Sequence, residues 1–265
     1  MNHKIKHKIQ TIIYLIIILI VSGGYIYMRC APMQTVEPPP LPAGWLPSST
    51  TGQVIRHKYF SLSYNEKHEQ AEWVAYMLTR HQVVTNKKIK RPFFSKDPLV
   101  KTGSADYSSY KGSGYDKGHL CPAGDRNFDN DAFYETFYTS NISPQNHDFN
   151  SGIWNALEDK VRSWAVRRDT VFVITGGVLD DRLPSIGKRD KVSVPGYFYK
   201  IVFDPEHTES ISFLIPNAPS EYPIYKYTVT IDSIESITGI DFFPALPDSI
   251  EVEMEKKKNG RKQWR

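Results

Sequence analysis

The chain has 265 residues, of which 40% are hydrophobic, 23% charged and 13% aromatic. These are proportions of an ordinary globular domain, and they exclude wholesale disorder and a multi-span membrane protein. Two cysteines exclude a disulfide-knit scaffold and a four-cysteine zinc site. The net charge of +4 comes from the ends: residues 46–250 carry 23 basic against 25 acidic side chains, so composition alone argues for no nucleic-acid partner.

In chain order, residues 1–10 form a basic stub with Lys4, Lys6 and Lys8, and residues 11–28, TIIYLIIILIVSGGYIYM, carry no charge. An uncharged helix of that length just reaches across a bilayer core. Lysines before it predict a cytoplasmic N-terminus and a body on the extracytoplasmic side, periplasmic or extracellular. A cleaved secretion signal is the alternative, but Tyr25, Tyr27, Met28 and Arg29 stand where a small-x-small cleavage site belongs. The expectation is therefore an uncleaved transmembrane anchor, with the membrane as a partner. Residues 29–50 are rich in proline and read as an extended linker. The folded domain is expected over 51–250, followed by a basic, solvated, frayed tail at 251–265. No bridge is expected between Cys30 and Cys121, although an exported compartment would permit one.

Within the domain, short aromatic and β-branched runs bounded by turn residues predict strands at 59–65, 72–79, 171–179, 196–204 and 211–217. From Asn150 the spacing changes. Trp154, Leu157, Val161, Trp164 and Ala165 fall on one face at steps of three and four, predicting a helix with Asn150 as its N-cap and Arg167 and Arg168 near its C-terminus. A weaker helical pattern covers 232–239 and closes on Gly239. Together these predict an α+β fold, a mostly antiparallel sheet with flanking helices.

The segment 112–158 concentrates the chemistry: Asp116, Lys117, His119, Asp125, Arg126, Asn141, Gln145, His147, Asn150 and Glu158, among glycines that permit close backbone approach. It has no Walker loop, no His-Glu-x-x-His helix and no Gly-x-Ser-x-Gly elbow. One histidine, an asparagine and a glutamate suit phosphodiester hydrolysis assisted by a single hard cation. Neutral imidazole can take a proton from water near pH 7. An ion with few protein ligands keeps waters and stabilises charge on the phosphate. On a straight helix Asn150 and Glu158 stand about 12 Å apart along the axis, too far to share an ion directly. Seven basic residues against Asp97 alone in 80–101, among them Lys87, Lys88, Lys90 and Arg91, suit phosphate contact.

YDKGHLCPAGD resembles the Asp-Arg-Gly-His signature of the DNA/RNA non-specific endonucleases, the ββα-metal nucleases that include endonuclease G. SNISPQ with NSGIWNALE resembles the second block of that family, and TGIDFFPALP its C-terminal signature, in the same order over roughly 55–247. The resemblance implies a ββα-metal active-site motif and cleavage of DNA and RNA with little sequence specificity, leaving 5′-phosphate and 3′-hydroxyl ends. It implies His119 as general base, Asn150 as the metal ligand, Glu158 as the acid orienting water at the ion, and Asn141 as a supporting amide. It implies Arg91 at the scissile phosphate and Mg²⁺ as cofactor, with Mn²⁺ as the alternative ion. Lys117, Lys90 and Arg126 are the expected substrate-binding cations. Lys117 replaces the usual arginine of the signature, keeping the charge and losing the bidentate fork, and Cys121 replaces a small alanine. The competing reading is a catalytically impaired, membrane-tethered module of the same fold that binds nucleic acid or protein.

Overall fold

The computed structural model describes residues 41–264. The expected stub, the 11–28 anchor, Cys30 and the first part of the linker lie outside the described residues.

The strands follow in chain order: β1 (Val54–Arg56), β2 (Ser61–Asn65), β3 (Gln70–Thr79), β4 (Asp116–His119), β5 (Ile142–Gln145), β6 (Thr170–Gly177), β7 (Ser185–Ile186), β8 (Val192–Ser193), β9 (Tyr197–Asp204), β10 (Glu209–Pro216) and β11 (Thr228–Val229). Seven of them form one sheet in the order β1-β2-β3-β6-β9-β10-β11, antiparallel throughout. Each predicted run became one of these strands, because its side chains are buried on both faces of the sheet. Alternation sorts them: Val74, Tyr76, Leu78, Val171 and Val173 enter one hydrophobic cluster, whereas Trp73, Ala75, Phe172 and Ile174 enter another. Full burial of such side chains contributes about 1.5–3 kcal/mol each.

The helices are α1 (Arg80–Val84), α2 (Asn130–Glu135), α3 (Asn155–Arg168), α4 (Ile231–Thr238) and α5 (Asp248–Lys256). The predicted stripe Trp154, Leu157, Val161, Trp164 and Ala165 is buried on the first face of the sheet, together with Leu120 and Cys121 just after β4. The opposite face is covered by α4, α5 and the Ile240, Phe242 and Phe243 of the C-terminal signature. Gly239 ends α4 in the left-handed conformation, φ +69°, that glycine adopts without a Cβ clash.

The tail departs from the frayed end expected of it. Residues 248–256 are helical, and Trp264 is fully buried: its carbonyl accepts from Trp164 Nε1 at 2.9 Å, and the Arg168 guanidinium lies 4.1 Å above its ring. Burial of so large an indole offsets part of the entropy cost of fastening a charged segment down.

Candidate active site

The site is assembled from the β4–β5 hairpin, the segment before α3, and the loop that carries Arg91. Within the hairpin Gly118 lies opposite Ser143 and His119 opposite Ile142. A Cβ on Gly118 would come within 2.0 Å of the buried Gln145 side chain, which would have to move to admit any larger residue between Lys117 and His119.

His119 is largely buried between two phenyl rings, with centroids 5.6 Å from Phe94 and 5.0 Å from Phe137. Its Nε2 is buried without a hydrogen-bond partner. The exposed Arg91 rests its guanidinium 5.5 Å and 5.4 Å from the same two rings. Burial, and secondarily the Arg91 charge, push the imidazole pKa down to about 3, so the ring is neutral at physiological pH. Lys117 Nζ lies 5.7 Å from the Phe94 ring and 5.8 Å from Tyr110, which brings Lys117, His119 and Arg91 around one aromatic floor.

Asn141 is fully buried. Its Oδ1 accepts from Cys121 N–H at 2.8 Å, and its Nδ2 donates to the carbonyls of Cys121 and Thr136. The amide thereby clamps the backbone two residues beyond His119.

Asn150 differs from the expected N-cap. Asn146 Oδ1 takes the N–H groups of Asp148 and Phe149, and residues 149–154 form a π turn in which Gly152 is non-helical, φ −99° and ψ −107°. The straight-helix separation from Glu158 therefore does not apply, because the two residues are not on one regular helix. Asn150 Nδ2 donates to Asp116 Oδ2 at 2.9 Å, and His147 Nδ1 donates to the same oxygen at 2.9 Å. A carboxylate only accepts, so the amide must present its nitrogen to Asp116. That leaves Oδ1, the oxygen a hard cation takes, as the end turned away from the protein's own acceptor.

Glu158 sits half-buried in the first turn of α3. It is not paired with Arg162, whose guanidinium bonds Asp125 and Asp159 instead. Burial raises the Glu158 pKa, and Lys200 is the strongest charge opposing that rise. Lys200 is fully buried, with Nζ 3.2 Å from Thr175 Oγ1 and 4.5 Å from the Trp154 ring centroid. Burial in turn lowers the Lys200 pKa, with Glu158 opposing.

Of the expected substrate-binding cations, Lys90 is exposed and Lys117 half-buried. Arg126 requires correction. It is fully buried, donates to the carbonyls of Tyr59, Met77 and Asp125, and lies 4.6 Å from the Tyr76 ring, so no substrate reaches it. Sequence reasoning missed Lys200, Phe94 and Phe137. A lone lysine inside the apolar run YFYKIVFD was the available sign of a buried charge.

A family model described as DNA/RNA non-specific endonuclease matches residues 40–249. Similar proteins include the mitochondrial nuclease EXOG of Xenopus laevis, 33% identical over 82% of this chain and 65% of its own. The mitochondrial endonuclease G of Caenorhabditis elegans is 31% identical over 85% of this chain and 83% of its own. The chain spans less than two thirds of the length of the EXOG nucleases of Xenopus laevis, Mus musculus, Danio rerio and Homo sapiens. A solved EndoG/EndoGI complex, described as showing the mechanism of EndoG inhibition, superposes with a TM-score of 0.68 and 30% identity, covering 74% of this chain and 87% of the other.

These relatives correct the expected localisation. The EXOG nucleases of Xenopus laevis and Homo sapiens and the endonuclease G of Caenorhabditis elegans are named as mitochondrial, which does not fit an extracytoplasmic membrane anchor. Among the described residues no helix is long and apolar enough to cross a membrane.

Proposed function

Because the chain belongs to the DNA/RNA non-specific endonuclease family, we propose that its site is a divalent-metal-dependent endonuclease centre hydrolysing phosphodiester bonds of DNA and RNA with little sequence specificity. The observation that carries this reading is His119: a neutral imidazole whose Nε2 lacks a protein partner, on the same aromatic floor as an exposed arginine.

That nitrogen of the neutral ring accepts a proton from water, the water oxygen bonds to phosphorus, the P–O3′ bond breaks, and the departing 3′ oxygen takes a proton from solvent. Arg91 binds the scissile phosphate. Its charge depresses the basicity of His119 in the free protein, and a bound phosphate offsets that charge, so the base strengthens when substrate arrives. Lys117 and Lys90 add phosphate contacts that read charge and not sequence. Asn150, oriented by Asp116, would hold the ion, Mg²⁺ in this reading, through Oδ1. When bound, the ion stabilises negative charge on the phosphate and the leaving oxygen. Glu158 would orient water at the ion; burial raises its pKa, and the Lys200 charge opposes that rise. Asn141 keeps the His119 strand in place.

The test is incubation of supercoiled plasmid and of single-stranded RNA with the chain, with Mg²⁺ or with excess chelator. Both polymers should be cut with Mg²⁺ and spared with chelator, and DNA ligase should reseal the nicks, since the product ends are 5′-phosphate and 3′-hydroxyl. Binding without cleavage would mark a binding module of the same fold, and nicks that ligase cannot close would contradict the assigned attack.

A further inference from the structure

A second concentration of charge lies on the opposite face of the sheet. Asp232 and Glu235 are three residues apart on α4, and Glu255 reaches them from α5. One carboxylate oxygen from each lies within 4.8 Å of the other two. Oxygen ligands about 2.3–2.6 Å from a single Ca²⁺ span just such separations.

A group of surface acids is ordinarily held apart by water, but Glu255 is not a surface acid. It is only 8% exposed, and its Oε1 is buried with no hydrogen-bond partner. The strongest charges around it are all carboxylates: Glu235, Glu251, Asp232 and Asp241. Burying an unpaired carboxylate among like charges is costly unless something positive shares the site. Glu235 Oε1 accepts from Phe242 N–H at 2.8 Å, and a cation would serve an oxygen of all three carboxylates at once.

We propose that Asp232, Glu235 and Glu255 bind one Ca²⁺, a structural ion separate from the nuclease centre. The ion joins α4 to α5. It thereby fastens the C-terminal segment, where Met254 enters the hydrophobic cluster of that face and Asn259 Nδ2 donates to the Ser210 carbonyl at 2.7 Å. All three ligands are hard carboxylate oxygens, which disfavours zinc and copper. The set is also richer in charge than the single neutral amide oxygen of Asn150.

The experiment is calorimetric titration of chelator-stripped, full-length protein with CaCl₂, beside melting curves with and without the ion. It uses the wild type, Glu255→Gln, Asp232→Asn and Asn150→Ala. The wild type and Asn150→Ala should each bind one Ca²⁺ and melt higher with it. Glu255→Gln and Asp232→Asn should bind at least about tenfold more weakly, each having lost a ligand charge. Absence of Ca²⁺ binding to the wild type, equal binding by Glu255→Gln, or loss of binding in Asn150→Ala alone would each overturn the proposal. Should Glu255→Gln fail to fold, Asp232→Asn decides by the same readout.

Discussion

Replacing Asn141 tests whether its amide holds the base in position. In Asn141→Ala three hydrogen bonds vanish together, leaving the N–H and C=O of Cys121 and the C=O of Thr136 without this partner in a fully buried place. An orphaned buried polar group costs about 1–3 kcal/mol, so even the low end summed over the three groups gives a loss of about 3 kcal/mol. Asn141→Asp keeps the shape and the acceptor for Cys121 N–H, but turns a second oxygen toward two carbonyls. It should therefore be at least as unstable as the alanine variant near pH 7. Acidification should recover part of the loss, because the protonated acid can donate to one of those carbonyls. Urea denaturation at pH 7 and pH 5 reads both effects from the midpoint, and plasmid nicking in the folded regime should show a lower turnover number. A loss under about 1 kcal/mol for both variants, or an aspartate variant less stable at the lower pH relative to wild type, would refute the clamp.

Three further outcomes follow from the same geometry. Lys200→Met removes the charge that best opposes protonation of Glu158, so cleavage should fall near pH 7 and its optimum should move to higher pH; an unchanged pH profile would show that Lys200 does not act through Glu158. The His119 pKa is depressed on folding, from 6.5 to about 3, so the unfolded chain binds the proton first as pH falls. The stability it contributes is complete above pH 6.5 and is lost on acidification toward pH 3, and melting curves of His119→Leu across that window should slope less steeply than those of wild type. Trp264→Ala empties a fully buried indole site and should cost about 3–5 kcal/mol; a melting temperature within a degree of wild type would mean that the tail is not fastened in solution.

The sheet was legible because its strands are buried on both faces, which leaves near-continuous aromatic and β-branched runs in the sequence. The α3 stripe was legible for the parallel reason at helical spacing. The π turn before it was not, since its shape depends on Asn146 closing the turn and on the non-helical Gly152, both compatible with an ordinary helix start in a pattern count. Arg126 illustrates a second limit. A cation within a dense polar motif looks like a phosphate ligand until the three carbonyls that enclose it are brought from 59, 77 and 125 by folding. The identity of His119 as a candidate base was readable from its motif, but its environment was not. Phe94 and Phe137 come from segments distant in sequence, and their convergence on the ring keeps it neutral. Trp264 was misread for the same reason, because what buries it is Trp164 and Arg168, about a hundred residues away.

The central claim is that the imidazole of His119 takes the proton in phosphodiester hydrolysis. It is tested most directly by the initial rate of plasmid nicking in saturating Mg²⁺ for wild type and His119→Ala, each shown to be folded by its melting curve. A positioned base contributes about 10²–10⁴ to rate, so the variant should be at least about a hundredfold slower. Nicking by a folded His119→Ala protein at near the wild-type rate would contradict the account.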